Sequence, residues 1–178
     1  MTVAVSLRDL VDELLILPSE GSAYLNKVTG KIIMVTEDMV AMAEMDSELE
    51  EELEDGFDTN GVEDPDPDLE TQYLHEVKRI LASDADYLEL PSRFEIHEYE
   101  IMERFCLSIP DGNVSDVLLQ KIRGSRAFRR FKDTIYQYGI ENDWFRYREQ
   151  AYKEIAIAWL ESRDIAYSDD MDRREQNT

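Results

Sequence analysis

The chain has 178 residues, 43% of them hydrophobic and 10% aromatic, enough apolar material for one domain core. Its formal net charge of −22 makes the bulk surface a poor partner for polyphosphates. No run approaches the roughly 18–20 consecutive apolar residues of a membrane span, Met1 to Val5 lacks the charged start of a secretory leader, and the single cysteine, Cys106, cannot form an internal disulfide.

In chain order, Ser6 is placed to cap a helix, with Asp9 standing in for the acidic residue of a capping box. Leu7, Leu10, Val11, Leu14 and Leu15 fall on one helical stripe, and Pro18 and Gly21 lie beyond its end. Two β-prone runs, residues 23–28 and 31–35, flank Thr29-Gly30 and predict a hairpin. Thr36 then precedes a helix carrying Met39, Met42, Ala43, Leu49 and Leu53. Residues 55–68 hold Gly56, Gly61, Pro65 and Pro67 among acids and predict a mobile loop.

Leu69, Tyr73, Leu74, Val77, Ile80 and Leu81 mark an amphipathic helix. Tyr87-Leu88-Glu89-Leu90 predicts a short strand that extends the hairpin to three strands. Helical patterns follow over residues 95–107, 114–122, 125–138 and 143–162, and residues 169–178 predict a disordered tail. The sum is an α+β protein, predominantly helical: one domain over residues 1–168, with a small antiparallel sheet packed on a C-terminal helical bundle.

Reactive motifs are missing. Reading Gly61 as the central glycine of a calcium loop puts Gly56 and Pro67 where the first and last ligands belong. Cys106 lies among Met102, Phe105, Leu107 and Ile109 and reads as a small core hydrophobe. No nucleophile elbow, zinc helix, phosphate loop or dinucleotide fingerprint occurs. No catalytic residue, metal or cofactor is therefore assigned.

Charge is segregated along the chain. Residues 32–77 contain seventeen Asp and Glu and no Lys or Arg, whereas residues 121–132 contain six Lys and Arg and no acid. Projected as a helix, Phe128, Phe131, Ile135 and Tyr138 share an apolar arc, with Arg126, Arg129 and Arg130 on the opposite side. Arg123, Ser125 and Lys132 complete a candidate anion- or partner-binding set, with Ser125 near a helix start whose N–H groups suit an anion. The competing reading is a solvated helix face whose arginines pair with surrounding acids. Arg148 also belongs to the candidate set. It projects into the face formed by Trp144, Tyr147, Ala151, Ile155, Ala158 and Trp159, so it needs a partner, for which a carboxylate such as Asp133 is expected.

Tyr24-Leu25 with Thr29-Gly30, the run Gly124-Ser125-Arg126-Ala127-Phe128-Arg129-Arg130-Phe131-Lys132-Asp133, Trp144-x-x-Tyr147-Arg148 and Ala158-Trp159-Leu160 together resemble a bacterial family known as uncharacterised protein family 0158. The family usually has a second Gly where this chain has Ser125 or Arg126. The resemblance implies a bacterial cytoplasmic protein and brings no activity, cofactor or catalytic residue.

The leading expectation is a non-catalytic binding or adaptor module engaging nucleic acid or an acidic protein surface, with the acidic segment competing for the basic face. An enzyme holding an anionic substrate with Arg126, Arg130 and Arg148 is the alternative. A protein–protein partner or homodimer built on Trp144, Phe145 or Tyr152 is a third.

Overall fold

The structure is a computed structural model that describes residues 3–18, 20–54 and 69–171. The predicted acidic loop, residues 55–68, lies outside the described residues, as does the tail beyond residue 171.

Strand β1 (Val5–Ser6) leads into helix α1 (Leu7–Ile16), capped as expected by Ser6, whose side chain accepts from the Asp9 N–H at 3.1 Å. Leu7, Leu10, Val11 and Leu14 are buried along its inner stripe. Strands β2 (Gly21–Asn26) and β3 (Ile32–Thr36) form the predicted hairpin. Its loop is organised by the buried Asn26, whose side-chain oxygen accepts from the Val28 and Thr29 N–H groups at 2.9 and 3.1 Å. Gly30 turns the chain at φ +74°, where a side chain is strained. Strand β4 (Tyr87–Glu89) pairs antiparallel with β2, giving the sheet order β3-β2-β4.

The sheet separates two cores. Ile33 and Val35 of β3, with Tyr87, meet Ala43 of α2 (Glu37–Glu54) and Val77 and Ile80 of α3 (Leu69–Leu81). On the other face Ala23 and Leu25 enter the main core, shared with α1 and the C-terminal helices. These are α4 (Arg93–Ile96), α5 (Glu98–Ser108), α6 (Gly112–Lys121), α7 (Ala127–Gln137) and α8 (Glu141–Glu161). Strand alternation thus gives each face its own helical layer.

Three local features depart from the sequence reading. The helix predicted over 95–107 is two, broken at His97, which sits at φ +49°. A capping box of Ser92 and Glu95 starts the first of them. The chain end is also not free at residue 169. Strand β5 (Tyr167–Ser168) runs parallel to β1, Lys153 pairs with Asp169 at 2.7 Å, and Asp170 accepts from the Ser6 hydroxyl and the Arg8 N–H at 2.8 and 3.0 Å. Finally, α8 buries Tyr152, Ala156 and Leu160 as well as Trp144, Ala151 and Trp159, while Ala158 faces solvent. Of the three aromatics considered for a partner surface, Trp144 and Tyr152 are core and Phe145 is exposed.

Candidate functional site

An aromatic wedge sets the rotation of α7. Phe105 of α5 meets Phe131, Trp144 and Tyr147 edge-on, with ring centroids 6.0, 5.3 and 5.4 Å apart, and Phe131 meets Trp144 at 4.8 Å. These contacts hold Phe131, with Ile135 and Thr134, in the interior. Helical geometry then turns Arg129, Lys132, Asp133 and Tyr136 outward, and all four are exposed. Phe128 is half-buried, whereas Tyr138 is exposed rather than completing the predicted apolar arc.

The segment before α7 has an unusual backbone. Gly124 lies at φ +79° and Arg126 at φ +58°, so the chain turns twice through the left-handed region between α6 and α7. The helix starts at Ala127, later than spacing predicts, with Arg126 as an N-cap that makes no side-chain cap bond. First-turn N–H groups are therefore left to solvent or a ligand. Arg123, Gly124, Ser125 and Arg126 are all exposed.

The seven candidate residues divide into three groups. Arg123, Ser125, Arg126, Arg129 and Lys132 are all exposed, three on the α6–α7 connection and two on the first turns of α7. Among the described residues no carboxylate lies within ion-pair distance of those four cations, although Arg79, Arg93, Arg146 and Lys153 each have one. Lys132 rests over the Phe128 ring, 4.6 Å from its centroid.

Arg130 forms the second group. Its guanidinium folds back to donate to the carbonyl of Lys121 at 3.1 Å and to that of Arg123. The first is the last carbonyl of α6 and the second lies just past its C-cap, where a cation also offsets the helix dipole. Arg130 is a bracket between two helices and leaves the exposed face to its neighbours.

Arg148 forms the third. It has the carboxylate partner its position demands, but that partner is Glu98 of α5 at 2.7 Å. Asp133 points outward from α7 instead. The guanidinium also lies 5.0 Å from the centroid of the Tyr152 ring and within 3.5 Å of the Leu15 carbonyl at the end of α1. It ties three helices together, and burial pushes the Tyr152 hydroxyl above its ordinary value, aided by the Glu98 charge.

Arginines of the candidate set do not line either of two cavities found in the fold. One of about 410 Å³ lies between Gly21, Tyr24, Val35, Leu81 and Phe94. The other, about 430 Å³, lies between Ser6, Asp9, Glu13, Thr29 and Lys31. Burial, then the charges of Asp12 and Asp9, raise the Glu13 carboxyl above 4.5. Cys106 is fully buried, and burial pushes its thiol up to about 11, so it stays protonated at neutral pH.

Residues 61–177 match the family described as uncharacterised protein family UPF0158. The chain belongs to that family. The UPF0158 match runs from before α3 through β5 and contains the whole basic junction; the hairpin quoted for the resemblance lies outside it. A relative from Pseudomonas aeruginosa, UPF0158 protein PA5073, is 26% identical over 104 residues, or 58% of this chain. The aligned stretch spans 63% of that relative's length. No solved structure matches the chain. Among the described residues no helix of this UPF0158 protein is long and apolar enough to cross a membrane.

Proposed function

We propose that this UPF0158 member is a non-catalytic binding module that engages an anionic partner through Arg123, Arg126, Arg129 and Lys132. The observation that carries the reading is that, among the described residues, none of the four has a carboxylate partner, in a chain with 41 acids and 19 Lys and Arg. Such an acidic surface offers cations many partners, so an exposed cluster without any is available to an outside anion. The divergence of Arg126, Arg130 and Arg148 onto solvent, the α6 carbonyls and Glu98 disfavours the enzyme reading, which needs them to converge on one substrate. A single buried cysteine suits a reducing, cytoplasmic setting.

The test is binding of a labelled heparin fragment at low salt. Arg126→Glu/Arg129→Glu is expected to weaken binding at least tenfold. Lys31→Glu/Arg104→Glu, an equal charge change elsewhere on the surface, should have little effect. Arg130 is left intact because its reversal disturbs the α6–α7 bracket. Equal losses in the two double variants, or no binding by the wild type, would remove the proposal.

A further inference from the structure

We infer that the anionic partner is a single-stranded nucleic acid, held with Tyr136 as a stacking platform and the four cations along its phosphates. This rests on the anionic-partner reading above. Tyr136 is 77% exposed in the body of α7, and its hydroxyl has no partner among the described residues. It lies four residues beyond Lys132 and seven beyond Arg129, so the ring and both charges share one helical stripe. From Arg129 to Tyr136 the stripe extends about 10 Å at the rise of an α-helix, with Arg126 just before the helix. An open aromatic ring beside a row of cations suits a polymer that offers both phosphates and unstacked bases.

Other anions fit less well. A protein surface needs about 800 Å² on each side with an apolar centre, whereas this stripe has one ring among charges. A duplex hides the faces of its bases and presents a dense row of phosphates to a body of charge −22. A sulfated polysaccharide has nothing to stack on Tyr136. Asp133 also sits on the stripe, where it repels any purely anionic polymer; exposed base amino groups can donate to it.

At most four phosphates meet cations here. The slope of log affinity against log salt is therefore expected to be no steeper than about −3. Repulsion from the acidic body is screened by the same salt, which makes the slope shallower still.

The experiment is fluorescence anisotropy with mixed-sequence DNA and RNA single strands of about 12 nucleotides, the matching duplex, and the heparin fragment. Wild type, Tyr136→Ala, Tyr136→Phe and Arg126→Glu/Arg129→Glu are compared, with circular dichroism confirming the fold. The expected result is that single strands bind more tightly than duplex. Tyr136→Ala should weaken strand binding at least about fivefold, the equivalent of about 1 kcal/mol of stacking, while Tyr136→Phe retains it and heparin binding is unchanged. If heparin binds through the arginines but single strands do not, the nucleic-acid assignment falls and the anion-binding reading stands. The assignment also falls if Tyr136→Ala leaves strand affinity intact or if duplex binds as tightly. Failure of every probe to bind overturns both.

Discussion

Arg126 holds its backbone at φ +58° without a cap bond or an ion pair among the described residues. The left-handed region costs an L-residue roughly 1–2 kcal/mol, and glycine there avoids that cost at an entropic penalty of roughly 0.5–1 kcal/mol. Arg126→Gly is therefore expected to stabilise the fold by about 0.5 kcal/mol while weakening heparin-fragment binding several-fold. Denaturant unfolding and the binding titration read the two effects separately. A variant that is less stable would show that the guanidinium supports the fold rather than a partner. Sequence periodicity is enough to turn Arg126 and Arg129 away from the apolar arc. It cannot place Arg130 correctly, because that side chain is held by backbone carbonyls, which leave no signature in the residues contributing them. Arg148 shows the intermediate case. Its intrusion into an apolar face demands a counter-charge, but Glu98 lies 50 residues away in sequence and only the packing of α5 on α8 selects it. Tyr136 had a legible signal, an aromatic off the Phe131–Ile135 arc and seven residues after Arg129, which the reading of that arc passed over.

At the scale of elements, the three-stranded sheet follows from alternation and turn residues, because β2 buries Ala23 and Leu25 in the main core while β3 and β4 bury Ile33, Val35 and Tyr87 in the smaller one. The β1–β5 pair has no such signal: two residues on each side are too short for a pattern, and their partners come from opposite ends of the chain. Nothing in the residues around His97 stops a helix outright, although Ser92-x-x-Glu95 marks a start before residue 95. The β1–β5 strap has an acidic latch. Arg8 donates to the Asp170 and Met171 carbonyls, and the Asp170 carboxylate accepts from Ser6 and Arg8. Burial alone would raise this carboxyl, but the Arg8 N–H and Ser6 hydroxyl outweigh it and hold the group below 3.8. A depressed folded value means the latch contributes its full stabilisation above about pH 4 and loses it as pH falls through the folded value. Asp169, held low first by its bond from Lys153, acts in the same direction. Asp170→Asn is therefore expected to lower the urea midpoint at neutral pH and to flatten its decline in acid. The Val5 amide, which donates to Ala166 at 3.0 Å, should become less protected from hydrogen exchange at neutral pH. Unchanged Val5 protection would mean that the backbone pair closes the strap without Asp170.

Across the whole molecule, the stretch matching UPF0158 does not close its own core. Leu7, Leu10 and Leu14 of α1, which are fully or almost fully buried, and the central strand β2 come from residues before it. The chain as a whole carries 41 acids against 19 Lys and Arg, so folding gathers like charges that an expanded chain keeps farther apart. Salt shortens the range of this repulsion, to about 8 Å at physiological ionic strength. The fold should therefore become more stable from low salt to about 0.3 M sodium chloride, by about 1–2 kcal/mol, seen as a rise in Tm of a few degrees. Sodium nitrate should act alike, because screening depends on ionic strength. Over the same range the basic junction must lose affinity for an anion, since there salt competes with an attraction. Opposite signs in one titration separate the two electrostatic regions. Falling stability with salt would show that local ion pairs, such as Arg148 with Glu98 and Lys153 with Asp169, outweigh the general repulsion.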